Sequence, residues 1–372
     1  MKIAILTQPL RFNFGGILQN YALQTVLRRM GHEVVTLDPK RYIYSQWKYP
    51  FVIMRHLAAR YIKGYRDATI FYEYNKDKET RKIGGNTFRF VDKYIKRKEF
   101  ADLHTEITPD DYDVFIVGSD QVWRYPFYGR EGNMFLDFAE GWDVRRIAYA
   151  ASFGTDQISY SEEQICEYRR LLSLFDAVSV REESAVALCT KYFKRDAIHV
   201  LDPTLLLTAD DYMKLVKAYP CEKKQGDLYY YILDENEENK NLIVDFAQEK
   251  GMTPFTYCNK VLCWKHQDID VVAQYPVELW LKGFEQAEYV ITDSFHACVF
   301  SILFKKQFFV YGNVERGMAR YSSLFRMLGI EDRFVKNIND IHRKNDIDYT
   351  KVHDTLNQLR KRSISFLEDA IA

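Results

Sequence analysis

Ile291-Thr292-Asp293-Ser294-Phe295-His296-Ala297 is the stretch on which the fold turns. The apolar run Tyr289 to Ile291 breaks into a polar cluster, and the apolar, helix-compatible segment Cys298 to Phe304 follows directly. That pattern is the end of a strand, a turn and the start of a helix. In an open α/β sheet such joints bind ligands, anions above all, because free helix N–H groups face the carboxyl ends of strands. A histidine at the joint, His296, is placed to move protons.

The same joint recurs on either side. Lys2 to Thr7 reads as a strand, followed by a loop through Gly15-Gly16, an amphipathic helix from about Ile17 to Met30 and a strand from Glu33 to Leu37. Gly31-His32 ends that helix as a C-terminal glycine should. Strands are expected at Val114 to Val117, Arg146 to Ala150, Ala177 to Val180 and Ile198 to Leu201, alternating with helical patterns at Ser161 to Leu174 and Glu182 to Lys191. Mostly apolar strands between helices indicate a parallel sheet covered on both faces. After Asp202-Pro203-Thr204 the rhythm restarts, with a helix at Ala209 to Ala218 and strands near Leu228 to Leu233, Pro254 to Cys258, Glu288 to Thr292 and Gln307 to Tyr311. A second α/β unit follows from this, and Asp348 to Ala372 reads as a closing helix that packs back on the first.

Composition narrows the function. The 372 residues carry 52 Lys or Arg against 52 Asp or Glu, so no global basic excess points to nucleic acid. No stretch approaches the roughly 20 apolar residues that span a bilayer, and the first apolar run is too brief for a signal-peptide core. The six cysteines are scattered without a C-x-x-C pair and fit a reducing, cytoplasmic setting. Cys258, Cys263 and His266 suit no common zinc spacing, so neither metal nor cofactor is expected. One region departs from the α/β rhythm. Lys40 to Lys98 holds sixteen Lys or Arg and five Asp or Glu among many aromatics. Within it Phe51, Met54, Ala58, Tyr61, Ile62 and Tyr65 recur at helical spacing. Such a stripe either docks on its own domain or forms a surface for an anionic membrane or a phosphate-bearing substrate.

Four strand-end clusters are candidates for chemistry. In Asn13-Phe14-Gly15-Gly16-Ile17-Leu18-Gln19-Asn20-Tyr21, paired glycines admit a ligand close to the backbone, although neither a Rossmann fingerprint nor a Walker sequence is present. In Gly118-Ser119-Asp120-Gln121-Val122-Trp123, Asp120 can orient or deprotonate a hydroxyl and Trp123 offers a face on which a sugar stacks, while an aspartate capping the next helix explains the same residue without function. Arg181 leaves a strand end with a guanidinium fork suited to carboxylate or phosphate, whereas Glu182 and Glu183 suit a first helical turn. At the opening stretch Asp293 or Ser294 can cap the helix that His296 begins. Downstream, Arg316, Arg320, Ser322 and Ser323 precede the helical segment Leu324 to Leu328.

Together with Ala150-Ala151-Ser152-Phe153-Gly154, Leu201-Asp202-Pro203-Thr204-Leu205 and Arg320-Tyr321-Ser322-Ser323-Leu324, these motifs resemble, in order over about residues 1–330, the polysaccharide pyruvyl transferase family of bacterial exopolysaccharide and capsule synthesis. The resemblance implies two Rossmann-like domains facing a cleft, as in GT-B enzymes, with a helical basic and aromatic insertion at about 40–100. It places the first domain at 1–205, the second at 206–347 and a C-terminal helix at 348–372. It also implies transfer of pyruvate from phosphoenolpyruvate to two hydroxyls of a sugar, free or lipid-linked, at the inner membrane face or in the cytoplasm. Arg181, Ser294, Phe295, His296, Arg320 and Ser322 would then hold the donor, with His296 as general acid or base. Asn13, Gly15, Gly16, Gln19, Asp120 and Trp123 would face the acceptor. Ala297-Cys298 stands where the family more often has a Gly-Thr type pair. A GT-B glycosyltransferase using a nucleotide sugar, or an inactive saccharide-binding scaffold, fits the same cleft.

Overall fold

The computed structural model describes all residues except 43, 63–69, 127–130, 221–223, 260–272 and 313–317. Cys263, His266 and Arg316 therefore lie outside the described residues, as does Tyr65 of the apolar stripe. Among the described residues there is no cluster of metal-ligating side chains, and no helix is long and apolar enough to cross a membrane.

Short apolar runs of four or five residues build two parallel sheets, so the fold is α/β. The first contains β1 (Lys2–Leu6), β2 (Glu33–Pro39), β3 (Arg97–Phe100), β4 (Val114–Val117), β5 (Arg145–Ala151), β6 (Ala177–Val180) and β7 (Ile198–His199), in the order β3-β2-β1-β4-β5-β6-β7. The second contains β8 (Leu228–Tyr231), β9 (Pro254–Phe255), β10 (Tyr289–Thr292), β11 (Gln307–Tyr311) and β12 (Phe334–Val335), in the order β12-β11-β10-β8-β9. Every residue of β4 is buried, which an apolar strand covered on both faces requires. The edge strand β3 was not anticipated, because Arg97-Lys98-Glu99-Phe100 has no apolar run; it pairs with the end of β2. β9 is shorter than the expected Pro254 to Cys258.

In each sheet the direction of strand addition reverses once, between β1 and β4 in the first and between β8 and β10 in the second. Connecting helices leave on opposite faces at a reversal, and this opens a crevice at the carboxyl ends of the strands. The two crevices face one another, giving two Rossmann-like units of GT-B type around a cleft.

The helices fix how the halves meet. Helix α1 (Phe14–Arg29) begins three residues earlier than its periodicity suggests, since extended Asn13 serves as its N-cap. Gly15 and Gly16 thus lie in its first turn rather than in a loop. Helices α2 (Tyr49–Tyr61) and α3 (Tyr72–Tyr94) form the basic insertion, α4 spans Glu183–Leu188, and α5 (Phe295–Leu303), α6 (Ala319–Leu328) and α7 (Tyr349–Ile371) follow. Phe14 on α1 stacks on Trp280 at 5.5 Å, and Tyr231 at the end of β8 meets the same indole at 5.4 Å. Full burial of Phe14 stabilises this joint by about 1.5–3 kcal/mol. Behind it, α7 is fastened to the first half by Leu201 N–H donating to Ser363 at 3.0 Å and Arg360 donating to the Leu205 carbonyl at 2.7 Å. The same helix reaches α5 of the second half through His353 and the Ile302 carbonyl at 2.9 Å.

Candidate active site

A cavity of about 340 Å³ lies where the two crevices meet. Asn13, Gly15, Asp120 and Gln121 enter it from the first sheet, and Tyr231, Ser294, Phe295, His296 and Arg320 from the second. Each set comes from strand ends and helix starts, because apolar strands end where polar side chains can first reach solvent.

Ionic groups are stacked under this cavity. Arg181, immediately after β6, donates to Asp202 Oδ2 at 2.8 Å, and its other terminal nitrogen stands 3.5 Å from Asp120 Oδ1. Burial would lower the Arg181 guanidinium's pKa, but Asp202 and Asp120 outweigh it and the group is raised. Burial would likewise raise the Asp202 carboxyl, yet the His296 ring and Arg181 hold it well below the usual carboxylate range. His296 Nε2 lies 3.6 Å from Asp202 Oδ2, an ion-pair separation too long for a hydrogen bond, and it has no hydrogen-bond partner. Phe295 is the platform between the cations: the Arg181 guanidinium carbon is 4.9 Å and that of Arg320 5.6 Å from its ring centroid. Arg320 is lowered, first by burial and then by the like charge of Arg181. An anion entering here relieves that repulsion.

The acceptor-side residues are held as tightly. Asp120 has φ 79°, in the left-handed region that is uncommon outside glycine and that a locally hydrogen-bonded aspartate can adopt. Its Oδ1 accepts from Gln121 N–H at 2.9 Å and its Oδ2 from Asn13 Nδ2 at 3.3 Å. Gly16 lies behind that contact, and a Cβ there would sit 3.1 Å from Asn13 Nδ2. Gly15 has a sharper role. A Cβ on it would fall 2.0 Å from His296 Nδ1 and 2.7 Å from His296 Cβ, so the glycine lets the histidine of one half press on the helix backbone of the other.

Several expected assignments are corrected. Trp123 is 1% exposed, stacks on Phe135 at 5.4 Å and donates Nε1–H to the Met134 carbonyl at 2.9 Å, so no sugar can reach its face. Gln19 is fully buried and spans Thr7 Oγ1 at 2.8 Å and the Gly16 carbonyl at 3.0 Å, bracing the turn instead of meeting a ligand. Ser322 lines a separate cavity with Thr155, Glu183 and Arg326, because α6 begins at Ala319 and its first turns point Ser322 away. Asp293 does not cap α5; its oxygens accept from Leu233 N–H at 2.7 Å and Asp234 N–H at 2.8 Å, tying β10 to the end of β8. Ser294 occupies the N-cap position without a side-chain bond.

Two buried carboxylates were missed. Asp202 was legible as a cap before Pro203, and its Oδ1 does accept from Thr204 N–H at 3.0 Å. Nothing in that pattern announces that Oδ2 serves Arg181. Glu182, read as an ordinary first-turn acid, is fully buried; its Oε1 accepts from Ser152 Oγ at 3.0 Å, Phe153 N–H at 2.9 Å and Gly154 N–H at 3.2 Å. Burial raises its carboxyl against the pull of Arg181.

Comparison with known proteins matches this architecture. A family model described as polysaccharide pyruvyl transferase covers residues 13–314. Arabidopsis thaliana UGT89C1 complexed with UDP-L-rhamnose superposes with a TM-score of 0.51 at 8% identity, covering 98% of this chain and 94% of that one. A Listeria monocytogenes protein described as a UDP-N-acetylglucosamine 2-epimerase does so with a TM-score of 0.52 at 7% identity, covering 97% and 90%. At these identities both likenesses concern the fold alone. No curated protein matches the sequence.

Proposed function

The chain belongs to the polysaccharide pyruvyl transferase family, and from that premise we propose that it transfers pyruvate from phosphoenolpyruvate to two hydroxyls of a sugar, forming a ketal and releasing phosphate. The observation that carries this reading is the buried pair Arg181 and Arg320 on the Phe295 ring, with His296 beside them in the cleft. A donor bearing a carboxylate and a phosphate suits two guanidiniums and the start of α5.

The steps assign roles. His296 gives a proton to the terminal enol carbon, which becomes a methyl group and leaves the adjacent carbon electrophilic. Asp202, 3.6 Å behind the ring, compensates the charge on His296 while it carries that proton. A first sugar hydroxyl, oriented by Asp120 and Asn13, bonds to the electrophilic carbon while its proton passes to the now neutral His296, which restores the acid. The carbon–oxygen bond to phosphate breaks with Arg320 at the cavity holding the leaving anion and the charge of Arg181 beneath it adding to the field, and a second hydroxyl closes the ketal, its proton leaving with phosphate. No cofactor or metal enters this sequence, and phosphoenolpyruvate is a co-substrate.

Phosphate release from phosphoenolpyruvate plus candidate glycans, with mass spectrometry for an added pyruvyl ketal, tests the reading. His296→Ala and Arg181→Ala are each expected to lower the rate at least about 100-fold. Wild-type rates in both variants would overturn the residue roles, and thermal stabilisation by a nucleotide sugar with none by phosphoenolpyruvate would overturn the reading in favour of a glycosyltransferase.

A further inference from the structure

Folded chains scatter their exposed apolar side chains singly over the surface. Here they are gathered: of fourteen large apolar side chains exposed among the described residues, nine lie between Trp47 and Tyr74. Trp47, Phe51, Met54 and Tyr61 stand four, three and seven residues apart, which puts them on one face of α2 and the turn before it. That face points outward, with Phe51 66%, Met54 64% and Tyr61 73% exposed.

The opposite face of α2 is the fastened one. Tyr49 donates its hydroxyl to the buried Asp77 of α3 and packs edge-on to Tyr74 at 5.3 Å, Val52 is buried, and His56 pairs with Glu73 at 3.3 Å. A surface helix ordinarily turns its apolar stripe to the core and its polar face to water. This one is anchored through Tyr49, Val52 and His56 and keeps its larger apolar stripe in the open, so the stripe is presented rather than merely left over.

Charge identifies what it is presented to. Residues 40–98 hold sixteen of the 52 Lys and Arg but only five of the 52 Asp and Glu, so the rest of the chain carries 36 basic against 47 acidic residues. The basic excess is confined to the segment that bears the apolar stripe, and Lys48, Arg55 and Arg60 are exposed on α2 itself or at its start. A second copy would set one basic face against another. Apolar side chains flanked by lysine and arginine fit a membrane interface, where the rings enter the headgroup region and the cations meet lipid phosphates.

We infer that α2 is a membrane-docking element that seats the protein on an anionic lipid surface without crossing it. The element borders the cleft through α3, whose Ile83 carbonyl accepts from Gln274 N–H at 2.8 Å and whose Asn86 donates to the Gln274 carbonyl at 2.8 Å. Gln274 lines the cavity, so docking brings the cleft mouth to the lipid boundary. Vesicle binding requires no transfer chemistry, and its outcome is independent of the donor assignment.

The test is co-sedimentation of the full chain with vesicles of phosphatidylcholine alone or mixed with phosphatidylglycerol. Binding is expected to be at least about tenfold tighter on the mixed vesicles and to weaken in high salt. Phe51→Ser/Met54→Ser/Ile62→Ser, at exposed positions, should cut it at least about tenfold, and Arg55→Glu/Arg60→Glu should abolish the preference for phosphatidylglycerol. Circular dichroism and thermal unfolding check that both variants fold. Absence of sedimentation with either vesicle, equal binding to both, or wild-type binding by the triple variant would overturn the inference. So would a dimer in sedimentation velocity that the triple substitution dissolves, since a second copy would then cover the face.

Discussion

At the floor of the cleft the side chains of Arg181, Asp202 and Asp120 are 5% exposed or less, whereas on the outward face of α2 Phe51, Met54 and Tyr61 are at least 64% exposed. Both regions depart from ordinary partitioning, in opposite senses, and their supports differ accordingly. The buried charges are compensated by partners drawn from β4, β6, β7 and α5, so the cost of desolvation is met by many distant parts of the chain at once. The exposed apolar face is supported locally, by α3 and by Tyr44 just ahead of α2. The difference separates a site preformed for chemistry from a surface completed only by what it touches.

The strongest way to break the comparison is to remove the shared carboxylate. Asp202→Ala takes from buried Arg181 its hydrogen-bonded carboxylate, leaving Asp120 at 3.5 Å and the charge of Glu182, and removes the anion beside His296. A loss of up to about 3–5 kcal/mol in urea unfolding is expected, because a buried cation loses its hydrogen-bonded partner. Asp202→Asn preserves shape and the bond to Thr204, so it should recover much of the stability while phosphate release stays at least about 100-fold down. If both variants unfold at the wild-type urea midpoint, the ionic floor is not what holds the cleft together. If Asp202→Asn keeps the wild-type rate, Asp202 does not act through His296.

Gly15→Ala probes the close approach of the two halves. Alanine gains about 1 kcal/mol of helix propensity over glycine, so on local grounds the change stabilises α1. Its Cβ would nevertheless fall 2.0 Å from His296 Nδ1 and 2.7 Å from His296 Cβ, and rotating the ring cannot clear a clash that includes the ring's own point of attachment. Overpacking costs about 1–3 kcal/mol, and the steric effect wins. The expected outcome is a rate reduced about 10–100-fold by displacement of His296, with a smaller fall in thermal stability. An alanine variant that is more stable and fully active would show that the halves do not meet on this glycine.

These two residues also mark how far the sequence could be read. The α/β rhythm was legible because runs such as Val114 to Val117 and Tyr289 to Ile291 are apolar on both faces, and the strand-end clusters were legible because polar residues follow them. β3 was not, since a charged edge strand has no apolar run to betray it. The candidate site was legible as a set of positions but not as a set of contacts. Gly15 looked like a flexible loop residue until His296 was placed against it, and Trp123 looked like a sugar platform until Phe135 covered it. Asp202 showed its capping oxygen in the Asp-Pro-Thr pattern, while the oxygen that serves Arg181 depends on a strand pairing that no local pattern encodes. The stripe on α2 was visible; its outward direction was decided by Tyr49 and His56 of α2 meeting Asp77 and Glu73 of α3.

The finest test sets Asp202 against a second buried carboxylate, Asp38. Both are 2% exposed, yet Asp202 is held low by His296 and Arg181 whereas desolvation pushes Asp38 up to about 6. The Leu10 N–H at 3.1 Å, Arg97 at 3.5 Å and the charge of Arg41 oppose burial at Asp38 without matching it. A carboxyl whose folded pKa lies above its unfolded value of about 3.9 binds more protons when folded. It favours the folded state below the unfolded value, and that contribution is lost as pH rises through about 6. Asp38→Asn abolishes the titration. Relative to wild type, the variant should gain up to about 2 kcal/mol between pH 4.5 and pH 7 in urea unfolding. A stability difference that stays constant over that range would mean that Asp38 is as well compensated as Asp202, and burial without matched partners would no longer distinguish a structural carboxylate from one at the cleft.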